Sequence, residues 1–110
     1  MNKDQICKRA VNTYGETPQI HMAIEEMSEL TKELCKVMRY ADPKDSDAAK
    51  KLEDIHEHIK EEIADVKIML AQMELIFGSA DEYEEQKLER LCKRLNEHTI
   101  KSMGTIKENT

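Results

Sequence analysis

Only three glycines and two prolines punctuate the 110 residues of this chain, and that scarcity of chain breakers constrains its fold more than any other feature. A sheet needs frequent tight turns, and those turns draw on Gly, Pro and Asn for their backbone geometry. Aromatic residues, favoured in strands, make up only 4%. The remainder is rich in Glu, Lys, Leu, Ile and Met, which form helices readily. Long, seldom interrupted helices are therefore expected, and the chain is short enough for a single core.

Charge narrows the partners. Seventeen Lys and Arg against 23 Asp and Glu leave a net charge of −6. That balance disfavours a nucleic-acid polymer or an anionic membrane as ligand, since both reward surplus positive charge. No apolar run approaches the roughly 20 residues that span a bilayer. Met1 to Lys8 lacks the apolar core of a signal peptide, so a cytoplasmic location is expected. Cys7, Cys35 and Cys92 lie far apart without a CxxC pair, and read as reduced, partly buried thiols rather than a zinc site.

Four helical segments follow from periodicity. The first spans about Asp4 to Tyr14 and ends at Gly15. Thr17-Pro18 opens a second, which runs to about Tyr40 with Ile20, Ile24, Met27, Leu30, Leu34 and Met38 recurring every three or four positions. The stretch 41–47, with Pro43 and Ser46, reads as a loop. The third helix runs from Asp47 or Ala48 to Phe77 before Gly78, a length of about 45 Å. A compact monomer of this size has a radius of gyration near 13 Å. Such a helix must therefore break near His56 to Ile59 or project into a partner. The fourth starts near Ser79 to Asp81 and ends near His98, with Leu88, Leu91 and Leu95 as its inner stripe. These bounds make residues 1–98 one helical domain and residues 99–110 a polar tail.

The position of certain carboxylates is more telling than their number. At 100° per residue the third helix carries an apolar stripe of Ile55, Ile59, Val66, Met69, Leu70 and Met73, and Glu62 falls inside it. Asp65 lies at the border. A buried charge is costly unless it is paired or coordinates a cation. On the second helix Glu26 borders the apolar stripe near Leu30 and Val37, and Glu29 follows three residues on; Glu29 and Glu33 lie further round. Two antiparallel helices carrying these pairs converge four carboxylates, a hard-oxygen set suited to Mg²⁺ or Mn²⁺. A solvated acidic face is the plain alternative for so charged a chain, but it leaves Glu62 unexplained.

The blocks AIEEMSELTKEL, from Ala23, and EEIADVKIML, from Glu61, resemble the motifs of the MazG-like, all-α nucleoside triphosphate pyrophosphohydrolases. That family is marked by ExxE on one helix and ExxD on the next, here Glu26-x-x-Glu29 and Glu62-x-x-Asp65. KLERLCKRL, from Lys87, is similar to the family's later basic segment, so the likeness covers roughly residues 19–97. It implies a MazG-like all-α bundle. It also implies hydrolysis of a (d)NTP between the α and β phosphates to NMP and pyrophosphate, plausible as house-cleaning of the nucleotide pool. Glu26, Glu29, Glu62 and Asp65 would then be the catalytic carboxylates and hold Mg²⁺, with Mn²⁺ as a possible substitute, and one of them or Glu33 would orient the attacking water.

Other residues carry weaker signals. Lys87, Arg90 and Arg94 share one flank of the fourth helix and suit phosphate contact, or else pair with Glu84, Glu85 and Glu89. Lys32 and Lys67 read best as counter-charges. Glu53-x-x-His56 is half of a di-iron motif whose second half is missing. His21 and Met22 precede the first acidic block, where a base pocket has room to form. The long third helix and small core point to a homodimer or homotetramer. Two rivals stand beside the enzyme: a helical interaction module with an acidic face, in which Leu at position 62 would add stability, and a nucleotide sensor without turnover.

Overall fold

The computed structural model describes residues 1–40 and 48–108, and among these every regular element is a helix. In order they are α1 (Lys3–Tyr14), α2 (Glu16–Arg39), α3 (Ala48–Phe77) and α4 (Asp81–Glu108). The chain divides into two compact units, residues 1–78 and 79–110. The expected loop at 41–47, and a start of the third helix at Asp47, lie outside the described residues.

Local chemistry sets the boundaries. Asn2 accepts a hydrogen bond from the Gln5 backbone N–H at 2.9 Å, and the Asn2 N–H donates to Gln5 Oε1 at 3.0 Å. This reciprocal capping box satisfies two donors that a helix start leaves bare. Gly15 joins α1 to α2 at φ +94°, a region where a Cβ is strained. Its N–H donates to the Val11 carbonyl at 2.9 Å. Helix α2 begins at Glu16, just ahead of the expected Thr17-Pro18 start, so Pro18 falls in the first turn, where no intrahelical N–H bond is lost. Gly78, at φ +107°, stops α3 as expected.

Within the first unit, α2 and α3 pack side by side and α1 touches both. The seam between α2 and α3 is built on polar residues spaced seven apart. Gln19 Nε2 donates to Gln72 Oε1 at 2.6 Å. Further along, Glu26 feels the charge of Asp65 and Glu33 that of His58. Lys51 Nζ then sits 5.4 Å from the centre of the Tyr40 ring. The α3 partners descend 72, 65, 58, 51 as the α2 positions ascend 19, 26, 33, 40. A step of seven keeps one line of each helix in the seam with only slight drift. Between these layers lie Ala23, Ile55, Val66 and Met69, all buried. Cys7 of α1 is also buried, its Sγ 4.0 Å from the Ile68 carbonyl.

Several expectations change. The third helix runs unbroken from Ala48 to Phe77, with no interruption near His56 to Ile59. The fourth continues to Glu108 rather than ending near His98, so most of the expected polar tail is helical; nothing in 99–108 is a breaker except Gly104, which a helix tolerates at about 1 kcal/mol. The inner line of α2 is Gln19, Ala23, Glu26, Leu30, Glu33 and Val37, whereas Ile24, Met27, Leu34 and Met38 are exposed. Leu70 on α3 is exposed too, as are Leu88, Leu91 and Leu95 on α4. Apolar side chains occupy more than one face of these helices; in the first unit only one face of each is covered, and every residue of α4 whose burial is described is exposed. Cys35 and Cys92 are exposed, and all three cysteines are free. No helix among the described residues is long and apolar enough to cross a membrane.

The buried amide pair yields the first prediction. Gln72→Leu alone leaves the Gln19 amide without its partner and should lower the unfolding free energy by about 1–3 kcal/mol. Replacing both glutamines with Leu should recover most of that loss in urea denaturation. Equal midpoints for the single and double variants would show that the pair is not coupled.

Candidate functional site

The seam brings three of the four expected carboxylates together. Glu26 projects from α2, and Glu62 and Asp65 project from α3, three residues apart and so on one side of that helix. One ligand oxygen from each lies within 4.8 Å of the other two. Glu26 and Glu62 are half-buried, and Asp65 is exposed. The Oε2 of Glu62 is buried and has no hydrogen-bond partner. A buried carboxylate oxygen without a donor is unusual, because desolvation goes uncompensated.

Charge crowding is written into Glu26. Its carboxyl is held above the ordinary value, first by burial, then by the charges of Asp65 and Glu62, with a hydrogen bond to Glu62 and the charge of Glu25 adding to the effect. Three carboxylates at this separation oppose one another's ionisation. A divalent cation reverses that opposition. Oxygen-only donors, one of them buried and orphaned, fit a hard cation such as Mg²⁺ or Mn²⁺ better than a soft one.

Glu29 differs from the other three. It is exposed on α2 one turn from Glu26, and it is not among the carboxylates whose oxygens converge. Lys87, Arg90 and Arg94 are exposed on α4, in the second unit. Lys32 and Lys67 are exposed on α2 and α3.

Glu33 was expected further round the helix, yet it is 8% exposed. Its Oε1 accepts from Lys36 Nζ at 2.8 Å, and its Oε2 is buried without a partner. The Lys36 hydrogen bond holds its carboxyl below the ordinary value, against the opposing effect of burial, with the charges of Lys36, His58 and Lys32 assisting. The signal was present in the numbering. Seven residues at 100° fall only 20° short of two turns, so Glu33 shares the line of Glu26. Gln19 lies on that line as well, seven residues in the other direction.

No family model matches this chain, and no curated protein and no solved structure is similar to it.

The raised carboxyl of Glu26 fixes the sign of a pH effect. Between its ordinary value of 4.5 and its raised value, the folded protein binds more protons at this group than the unfolded chain does. That contribution to stability is fully present below the ordinary value and is lost as pH rises through the folded one. In metal-free protein, Asp65→Asn should lower the titration midpoint of Glu26, followed by ¹³C NMR, and flatten the decline. A midpoint that stays in place would mean that the two carboxylates share no field.

Proposed function

We propose that this protein is a Mg²⁺-dependent nucleoside triphosphate pyrophosphohydrolase of MazG-like type, cutting between the α and β phosphates. The observation that carries the proposal is the convergence of Glu26, Glu62 and Asp65 oxygens within 4.8 Å, with the Glu62 Oε2 buried and unpaired. The descending partner numbers across the seam support antiparallel packing of the ExxE and ExxD helices.

In this reading Glu26, Glu62 and Asp65 hold the cation, with Mn²⁺ as a substitute. A bound divalent cation offsets phosphate charge and lowers the pKa of a coordinated water. Such an offset is a requirement in a protein of net charge −6, which otherwise repels a polyanionic substrate. The chain's own residues do the rest. Glu62, with one oxygen buried, is the inner ligand, and the exposed Asp65 meets the incoming phosphates. Glu29, one turn from Glu26 and outside the cluster, is the carboxylate to which this reading gives the orienting of the attacking water and the taking of its proton. The water's oxygen bonds to a phosphorus of the α–β linkage, the bridging P–O bond breaks, and NMP and pyrophosphate leave.

A second copy of the chain is part of the proposal. Ile24, Met27, Leu34 and Met38 on α2, with Ile63, Leu70 and Phe77 on α3, are large apolar side chains left exposed in a single copy. So broad an apolar surface on so small a core favours burial against another chain, in a homodimer or homotetramer. The same exposure favours the rival reading, a non-catalytic interaction module. The orphaned Glu62 oxygen weighs against it, since such a module gains nothing from a buried unpaired charge.

A product assay decides between them. With Mg²⁺ and a panel of ribo- and deoxynucleoside triphosphates, wild-type protein should release pyrophosphate and monophosphate. Even outer-shell partners of a metal are worth about 10–100-fold, so Glu62→Gln should reduce turnover by about 100-fold or more. Release of inorganic phosphate alone would place the cut at the wrong bond. No turnover, together with a Glu62→Leu variant more stable than wild type, would favour the interaction module.

A further inference from the structure

Where α1 meets the start of α2, a cavity of about 410 Å³ is lined by Tyr14, Pro18, Gln19 and Met22. Its position relative to the carboxylates is set by α2 itself. Met22 stands one turn before Glu26. Gln19 stands seven residues before it on the same line, about 10 Å along the axis at 1.5 Å per residue. That is the kind of span a ribose and one phosphate bridge between a base and a cation held at the α–β linkage.

The lining has the chemistry of a base site. Tyr14, the last residue of α1, is 65% exposed and offers a ring face for stacking. Met22 and Pro18 supply apolar walls, and a thioether packs well beside an aromatic ring. Gln19 is buried and held by its bond to Gln72. That bond uses one of its two amide N–H groups. The second N–H and the carbonyl lone pairs leave it able to pair with a base edge that carries an acceptor beside a donor. Pre-positioning by Gln72 reduces the entropy lost when such a contact forms.

We infer that this cavity binds the base of the nucleoside triphosphate, with Tyr14 as the stacking surface and the Gln19 amide as the reader of the base edge. The inference rests on the nucleotide reading of the carboxylate site and extends it to the opposite end of the substrate. It assigns base contact to α1 and the first turns of α2, the helix that also carries Glu26.

The test separates the two ends of the ligand. Calorimetric titration with Mg²⁺ would compare a nucleoside triphosphate whose α–β bridging oxygen is replaced by a methylene group with inorganic tripolyphosphate, which has no base. Wild type should bind the nucleotide more tightly. Tyr14→Ala should weaken nucleotide binding by about tenfold or more, the scale of one lost base–aromatic stack, and leave tripolyphosphate binding unchanged. Tyr14→Phe, which keeps the ring, should behave as wild type. Because Tyr14 is exposed, its loss does not open the core, and unchanged tripolyphosphate binding confirms that the carboxylate end is intact. Equal affinity of wild type for the two ligands, or nucleotide binding unmoved by Tyr14→Ala, would overturn the base site while leaving the carboxylate site standing. Binding of neither ligand would overturn both.

Discussion

The structure depends on one unfavourable arrangement: carboxylates placed where two helices press together. Packing α2 against α3 buries Ala23, Ile55, Val66 and Met69, and that apolar burial drives the contact. The same seam carries Glu26, Glu33 and Glu62, whose charges oppose it. Two of the three are relieved in part, although Glu33 keeps one buried oxygen without a partner. Glu33 accepts from Lys36, and Glu26 moves toward its protonated form. Glu62 also keeps a buried oxygen with no donor, and among the described residues no cation of its own helix pairs with its other oxygen as Lys36 does with Glu33. A seam built for stability alone would carry Leu there. A charge kept against its own cost, beside two more carboxylates within 4.8 Å, is the observation on which the proposed cation site rests.

The seven-residue layers explain how the arrangement is held in register. A slip of α3 by one turn would part Gln19 from Gln72 and leave the buried Gln19 amide without that partner, which is more costly than losing an apolar contact of similar size. The amide layer thus works as a lock beside the carboxylate layer. It also fixes Gln19 at the floor of the cavity near Tyr14. Register, the proposed metal site and the proposed base site therefore share the same line of α2. The apolar rows on the opposite faces play no part in that lock and remain available for association.

Much of the site was legible from spacing alone. Glu62 inside the stripe of Ile59, Val66 and Met69 needed only the helical angle and the cost of burying a charge. Asp65 followed from it by one turn. Glu33 is misplaced by the sequence reading, which sets it further round the helix although it sits seven residues from Glu26; Gln19, seven residues the other way, carries no signal in that reading. Ile24, Leu34 and Leu70 are misplaced in the opposite sense. Periodicity finds an apolar face, but it cannot say which of two apolar faces meets a neighbour in the same chain. Burial is non-directional and rewards either choice.

The sequence by itself determined the helices, most of their ends and the presence of an ill-placed charge. Those are local properties, set by breakers such as Gly15 and Gly78 and by the angle between successive side chains. Tertiary structure alone decided that Asp65 stands across from Glu26, that Glu29 stays outside the cluster, and that Tyr14 overlooks a cavity two turns from the carboxylates. Those outcomes depend on which line of α2 meets which line of α3, and so on contacts between residues about 25 to 53 apart, such as His58 with Glu33 and Gln72 with Gln19. No rule of local spacing reaches that far, because the energy that selects the register is the sum of layers made only once the helices have packed.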